Sequence, residues 1–183
     1  MVTRYHPITI TLHWVMAIAF FLMLGSGLVM ENLDIDPNLK FNLFQWHKSL
    51  GVLLLCTFFV RLAVRLFAEK PALPDALSQR EQKLARWGHR ALYFWMIALP
   101  ITGWFIVSAS VIGLPTIVFG QFVWPHIPNL AGNEQIEEIA ETVHAALAYT
   151  FIGLIFIHIT AVVKHMRKDK INLLPRIGIG KDK

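Results

Sequence analysis

The chain has 183 residues, of which 55% are hydrophobic and 16% are charged, and its mean hydropathy is +0.52. This composition is too apolar for an ordinary soluble domain, and the length suits a single domain, 1–183. The formal net charge of +5 would also fit a nucleic-acid surface. The basic clusters adjoin long apolar segments, however, which favours a membrane protein over a nucleic-acid-binding one.

Four apolar segments reach the roughly 20 residues that a helix needs to cross the hydrocarbon core of a bilayer. They are residues 8–30, 41–67, 85–108 and 143–164. The first segment is longer than a signal-peptide core and has no small-residue cleavage site, so we expect it to span the membrane. The predicted fold is all-α, an integral-membrane four-helix bundle with up-down-up-down connections.

Local signals mark the helix ends and one irregular segment. Ser78 and Glu81 have the spacing of a capping box that opens the third helix, and Pro100 should kink that helix. Residues 109–140 are apolar at first but broken by glycine and proline, which makes them poorly suited to a regular span. We expect an outer interfacial loop with Phe122 and Trp124 at headgroup level. A re-entrant segment is the alternative.

Charge is distributed unevenly among the connections. Basic residues gather in the second connection and in the C-terminal tail, whereas the first and third connections are acidic. Basic residues favour the cytoplasmic side of a membrane, so we expect both termini and the second connection there.

Histidines and glycines recur at matching depths of the four segments. His144 and His158 are fourteen residues apart, which places them on nearly the same helix face, roughly 21 Å apart along the axis. An ionisable side chain inside a membrane is costly, and it therefore indicates a functional site. The same interval occurs in each of the four segments: His13 and Gly27, His47 and Arg61, His89 and Gly103, and His144 and His158.

In an antiparallel bundle this interval pairs His13 with His158 at the inner depth, and His47 with His144 at the outer depth. Two iron porphyrins in the bundle core, each held by two histidines, would explain the pattern, and closed coordination of this kind favours electron transfer. For any single histidine, the alternative is a satisfied polar group in a helix bundle. The only cysteine, Cys56, lies mid-helix and forms no C-x-x-C-H motif, so the haems should be b-type rather than c-type.

Further residues are candidates for contacts with these groups. Gly27 and Gly103 would leave space for a macrocycle, although small residues are also common at helix contacts in membranes. Arg61 is a candidate partner of a haem propionate, and its alternative role is snorkelling to lipid phosphate. For Arg65 we favour the lipid role. Lys48 beside His47 could meet an outer propionate or a small anion, or it is a plain interfacial lysine.

Two more histidines fall near the inner boundary. His165 follows His158 by about two turns, and His89 opens the third helix. Both would lie where a quinone ring could reach, and imidazole can exchange a proton near neutral pH. Alternatively, His89 replaces His13 as a haem ligand.

These residues carry a family resemblance that covers essentially the whole chain. The sequence resembles the bacterial di-haem cytochrome b561 family, including its superoxide oxidase-like four-helix members. The carrying segments are Ile10-Thr-Leu-His13-Trp14, Trp46-His47-Lys48-Ser-Leu-Gly51, Gly88-His89, Ala98-Leu-Pro100-x-x-Gly103, His144 and His158.

The resemblance implies two b haems ligated by His13, His47, His144 and His158, in a multi-pass protein of the bacterial cytoplasmic membrane. It also implies ubiquinone on the cytoplasmic side, near His89 and His165. The activity it implies is that of a superoxide:ubiquinone oxidoreductase, which oxidises superoxide at the outer face.

One feature departs from that expectation. A surface that collects superoxide should be positive, because charge steers an anion. The outer connections are mostly acidic, with only Lys40, Lys48 and His126 as positive candidates. The alternative is a quinone-linked electron-transfer subunit docked to a partner dehydrogenase or periplasmic redox protein, with no substrate site of its own.

Overall fold

The computed structural model describes residues 4–74 and 76–180. Long helices dominate it, and a two-stranded hairpin and a 3-10 turn complete it. In chain order the elements are α1 (Pro7–Asn32), α2 (Pro37–Phe67), α3 (Gln79–Ala109), β1 (Thr116–Val118), β2 (Phe122–Trp124), α4 (Glu134–Arg167) and the 3-10 turn Leu174–Ile177. All four helices are long and apolar enough to cross a membrane. The predicted all-α, four-helix membrane fold is confirmed.

The helices begin where side chains satisfy their free N–H groups. The Asp36 carboxylate accepts from the N–H groups of Asn38 and Leu39 at the start of α2. The predicted capping box of Ser78 and Glu81 is present at the start of α3. Such caps remove unsatisfied donors from the first turn.

Helix α4 begins well before its apolar segment, at Glu134. The Asn133 side chain caps it, and Glu134 and Glu137 lie in its first turn, where the helix dipole favours negative charge. Sequence hydropathy marked only the part that crosses hydrocarbon, and the capped polar turns precede it.

The helices enclose a small buried core, and many of their large apolar side chains are exposed on the outer surface of the bundle. Helix α1 packs on α2 and α3 packs on α4, with α2 joining the two pairs. Phe21, Phe94 and Phe156 are each more than half exposed, as expected for side chains that face lipid. The buried core comprises Met16, Phe20, Leu54, Phe58, Met96, Leu99 and Phe151.

One layer of this core lies midway along each fourteen-residue interval. Its four members, one from each helix, are Phe20, Leu54, Met96 and Phe151, and all are buried. The rings of Phe20 and Phe151 meet edge to face with centroids 5.1 Å apart. We call these four residues the apolar layer, because they separate the polar side chains at the two depths.

The first end of the bundle, which we call the hairpin end, carries β1 and β2 within the predicted interfacial loop. The strands pair antiparallel, with Thr116 opposite Trp124. The turn between them contains Gly120 at φ 71°, a conformation that glycine adopts readily. The Ser49 hydroxyl accepts from the N–H of Phe119 at 3.0 Å, and the Ser108 hydroxyl accepts from that of Ile127 at 3.0 Å. These bonds hold the loop onto α2 and α3.

The opposite end, which we call the tail end, is covered by the segment that follows α4. The Trp14 indole N–H donates to the carbonyl of Ile177 at 2.9 Å, and the N–H of Tyr5 donates to that of Arg176 at 3.1 Å. The Arg176 guanidinium also donates to the carbonyl of Ala72. The C-terminal segment therefore ties α1 to the connection between α2 and α3.

Candidate functional site

At the hairpin end, two imidazoles from α2 and α4 face each other in the bundle. The ring centroids of His47 and His144 are 6.3 Å apart. Two histidines that bind one metal ion from opposite sides have ring centroids roughly 6 Å apart, because each metal–nitrogen bond is about 2 Å long. The spacing of this pair therefore fits one metal ion between the rings.

Neighbouring hydroxyl groups lie within hydrogen-bond distance of Nδ1 of both rings. Ser26 Oγ lies 3.0 Å from His47 Nδ1, and it donates its own proton to the carbonyl of Met23. Thr102 Oγ1 lies 2.9 Å from His144 Nδ1, and it donates to backbone carbonyls of its own helix.

If each hydroxyl gives its single proton to a backbone carbonyl, it accepts from Nδ1 of the imidazole. Nε2 of each ring is then unprotonated. That is the form of imidazole that binds a metal, with the other ring nitrogen held by a hydrogen bond. Ser26 and Thr102 are therefore placed to hold His47 and His144 in a form that could bind a metal.

The two predicted glycines lie directly against these rings. A Cβ atom at Gly27 would be 3.7 Å from Cε1 of His47, and one at Gly103 would be 3.4 Å from Cε1 of His144. Each glycine follows a hydroxyl residue, Ser26 in α1 or Thr102 in α3. In each helix, therefore, one residue hydrogen-bonds to an imidazole and the next leaves space beside it. Glycine therefore leaves open the space beside Cε1 of each ring, which an alanine Cβ would fill with an ordinary van der Waals contact.

At the tail end, three imidazoles come together rather than two. The rings of His89 and His158 have centroids 6.0 Å apart, close to the spacing of the hairpin-end pair. His13 lies near enough to both to interact electrostatically with each. Its Nδ1 is 3.4 Å from Nη2 of Arg61. A guanidinium can only donate, so this nitrogen accepts, and neutral His13 carries its proton on Nε2.

Arg61 is the exceptional polar side chain of the bundle. Its Nε and Nη1 atoms are buried and have no hydrogen-bond partner among the residues that the structure describes. Its guanidinium lies 5.7 Å from the ring centroid of Tyr93, and that of Arg65 lies 5.3 Å from the same ring. A buried cation with free donors is costly unless an anion pairs with it. The predicted propionate partner would meet that requirement.

The surface of the hairpin end carries few positive groups. His126 lies close enough to Lys48 for their charges to interact, and its Nε2 is 3.2 Å from the Thr116 hydroxyl. Burial lowers the pKa of His126, and the charge of Lys48 lowers it further. At neutral pH His126 is therefore uncharged. The Trp124 indole N–H nearby is buried without a partner among the described residues.

His165 occupies the tail end, where its Nδ1 bonds to the Asp169 carboxylate at 2.7 Å. Among the described residues, no ring contact joins His165 to the three imidazoles at this end. Its partner, Asp169, follows the end of α4.

The observed geometry fits iron porphyrin at both depths. The hairpin end has two imidazoles at the spacing of a metal-bound pair. The tail end has three imidazoles and a buried guanidinium with free donors that could bind a carboxylate. Haem commonly takes histidine as its axial ligand. The chain's own residues could therefore supply ligands, space and a counter-charge.

Sequence reasoning found the histidines, glycines and Arg61 but missed the groups that hold them. It did not single out Ser26, Thr102 or Asp169, nor the pairing of Glu81 with Lys164. The sequence did contain a signal for Ser26 and Thr102, because each directly precedes a glycine of the fourteen-residue pattern.

Comparison with known proteins shows which family the chain belongs to. The family described as prokaryotic cytochrome b561 matches residues 4–178 of the chain. Cytochrome b561 homolog 2 of Escherichia coli (strain K12) is 32% identical over 174 residues, which cover 95% of this chain and 90% of that protein. Family membership implies haem b and membrane electron transfer. The chain belongs to the prokaryotic cytochrome b561 family.

Proposed function

We propose that the chain carries electrons between a donor at the hairpin end and ubiquinone at the tail end, through two b haems. The observation that carries this proposal is the presence of histidine sites at two depths, separated by the buried apolar layer. Haem b supplies a one-electron iron couple at each depth. The chain's part is to hold the two groups, keep water from between them and bind the reactants at each end.

We assign His47 and His144 to one haem, and His13 and His158 to the other. The 6.3 Å ring spacing and the two hydroxyl bonds support the first pair. For the second haem, His89 competes with His13, since its ring lies 6.0 Å from that of His158. His13 would bind iron only after its Nδ1 leaves Arg61, because Nε2 must first lose its proton. Arg61, with two free donor atoms, is the proposed partner of a propionate at this depth.

The tail end is proposed to face the cytoplasm of a bacterium, with the protein in its inner membrane. Support comes from the basic second connection and C-terminal tail, against acidic residues around the hairpin end. Reporter fusions after Asp36 and Asn133 should be active only outside the cytoplasm, and fusions after Ala76 only inside. The reverse pattern at these positions would overturn the orientation.

The activity that we favour is superoxide:ubiquinone oxidoreductase. Two superoxide ions each lose one electron and leave as O₂, while ubiquinone gains two electrons and two protons. Lys48 is the proposed positive group near the haem edge at the hairpin end. His126 adds no charge at neutral pH, because its pKa is lowered.

A second candidate is an electron-transfer subunit that docks to a partner dehydrogenase or periplasmic redox protein. It is favoured by the acidic first turns of α4, which would suit a basic partner. Their members are Glu134, Glu137, Glu138 and Glu141. Of these, Glu137 already accepts a hydrogen bond from the N–H of Val111.

Rapid mixing of the purified holoprotein with superoxide separates the two candidates. For the enzyme, superoxide reduces both haems, and added ubiquinone reoxidises them. Higher ionic strength should slow the reduction only weakly, because one lysine is set against acidic neighbours. If superoxide leaves the haems oxidised while a soluble redox protein reduces them, the docked subunit is the correct function.

A further inference from the structure

A network of charged side chains joins α3, α4 and the segment after α4 at the tail end. His165 Nδ1 and Lys164 Nζ both bond to Oδ2 of Asp169, at 2.7 Å and 2.9 Å. Lys164 also forms an ion pair with Glu81 of α3. The turn after α4 fixes Asp169, since the N–H of Ile171 donates to the carbonyl of His165 at 2.9 Å.

Asp169 remains a carboxylate across the neutral range. Hydrogen bonds from Lys164 and then His165 lower the pKa of this carboxyl below its ordinary value. A carboxylate can only accept, so His165 must donate from Nδ1. Its Nε2 then points away from Asp169, bare in the neutral ring and protonated in the charged ring.

Donor atoms of Glu81, His165 and Asp169 lie within 4.8 Å of one another, as in a metal site. The Lys164 ammonium, however, already bridges the two carboxylates. The chain's own cation therefore lies between the two carboxylates, where a metal ion would have to bind. Within this network, His165 Nε2 is the ring nitrogen that bonds to none of the three charged groups.

We propose that Asp169 is a positioning residue that fixes His165 as the proton carrier for the quinone. This inference rests on the proposed function. Charged His165 gives its Nε2 proton to a quinone oxygen, so one N–H bond breaks and one O–H bond forms. The second oxygen, on the opposite side of the quinone ring, takes its proton from solvent, and a further solvent proton restores charged His165. The two electrons come from the bundle, and the quinone leaves as quinol.

The arrangement suits proton transfer because the His165 ring is held in one orientation by Asp169 and is partly buried. The His165 side chain is 13% exposed, against 26% for Asp169, so Nδ1 is closed off while the carboxylate remains in touch with water. The charged groups that face this site are Asp169 from the following segment, Lys164 from α4 and Glu81 from α3. A fixed donor nitrogen within reach of the substrate is the first requirement of general acid catalysis.

Three variants of the haem-loaded protein test the role of Asp169 in exchange with ubiquinone. Asp169→Asn keeps the shape but removes the charge, and should lower the maximal rate about tenfold or more, with KM within twofold and unchanged haem spectra. Asp169→Glu should restore most of the rate. Asp34→Asn is the matched control, since it makes the same change at an exposed aspartate of the first connection, away from the His165–Asp169 bond. Its rate should stay within twofold.

A second readout does not depend on turnover. Nitrogen NMR of ¹⁵N-histidine-labelled protein should find neutral His165 protonated at Nδ1, and Asp169→Asn should reduce that tautomer. A wild-type His165 protonated at Nε2 instead would overturn the proposal, even if both Asp169 variants failed to fold. An Asp169→Asn protein with the rate and tautomer of wild type would also overturn it. Wild-type protein that holds both haems but never exchanges electrons with ubiquinol would contradict the proposed function instead.

Discussion

The two ends of the bundle meet the same problem, an imidazole inside a membrane protein, in different ways. At the hairpin end, Nδ1 of His47 and Nδ1 of His144 are each hydrogen-bonded to a neutral hydroxyl. At the tail end, three imidazoles share the space with Arg61, which has two unpartnered buried nitrogens. Both imidazoles at the hairpin end have their Nδ1 partners within the bundle. The tail end carries charge that only an anionic partner can balance.

The largest expected effect is the loss of one whole haem from the hairpin end. His47→Ala or His144→Ala should lower haem content from two per chain to one, because a single remaining imidazole cannot close the coordination. A pyridine haemochrome assay measures the content, and low-temperature visible spectra identify the remaining haem. His126→Ala, a histidine of the same end that lies outside the bundle, is the control and should keep both haems. One haem per wild-type chain would contradict the di-haem assignment from the start.

The sequence predicted features that depend on the geometry of one helix, but not features that depend on how the helices pack against each other. The fourteen-residue interval holds in any straight helix, so the depths of His47 and His144 could be read from numbering alone. The sequence could not decide whether His13 or His89 faces His158 at the tail end, because that depends on how α1 and α3 pack against α4. The hairpin was read as an irregular loop, since its strands are three residues each and are held mainly by bonds to Ser49 and Ser108.

The next effect decides which histidines serve the tail end. We expect His13→Ala to remove the second haem and His89→Ala to keep it, with slower exchange with ubiquinone. The alternative follows from the 6.0 Å between the rings of His89 and His158. Haem content and spectra of the two variants separate the cases. Retention in His13→Ala together with loss in His89→Ala would transfer the ligand role to α3.

Removing the unbalanced charge tests the tail end's need for an anion. Arg61→Met should weaken binding of the tail-end haem about 10- to 100-fold, since a hydrogen bond to a charged group contributes about 1.5–3 kcal/mol. Haem titration of the apoprotein measures the affinity. Arg65→Met is the matched control, because both guanidinium groups lie over Tyr93 but only Arg61 has buried free donors. Equal losses in both variants would mean a general loss of positive charge rather than a propionate partner.

The hydroxyl bonds at the hairpin end should have a graded effect. Ser26→Ala or Thr102→Val removes the acceptor for Nδ1, and loss of such outer partners typically lowers affinity about 10- to 100-fold at a metal site. The redox potential of this haem should shift, while the tail-end haem stays unchanged. Thr57→Val is the control, because the Thr57 hydroxyl bonds only to its own helix, at the carbonyl of Leu53. Unaltered potential in both hydroxyl variants would show that the imidazoles need no fixed tautomer.

The smallest effect concerns the glycines that distinguish the hairpin end. Alanine at any helical glycine improves helix propensity by about 1 kcal/mol, so thermal stability of the apoprotein should rise in Gly25→Ala, Gly27→Ala and Gly103→Ala alike. Only Gly27 and Gly103 lie beside an imidazole. Against the imidazoles alone the new Cβ would make ordinary van der Waals contacts, 3.4 Å from His144 at Gly103 and 3.7 Å from His47 at Gly27, and it would meet nothing within 4 Å at Gly25. If a macrocycle fills the space beside these rings, overpacking against it would cost about 1–3 kcal/mol, so haem affinity should fall about tenfold for Gly103→Ala and Gly27→Ala and not at all for Gly25→Ala. The same difference should appear in the shift of the hairpin-end haem spectrum. If the three variants bind haem equally well, the glycines serve helix packing alone, and the space they leave is not what admits the macrocycle.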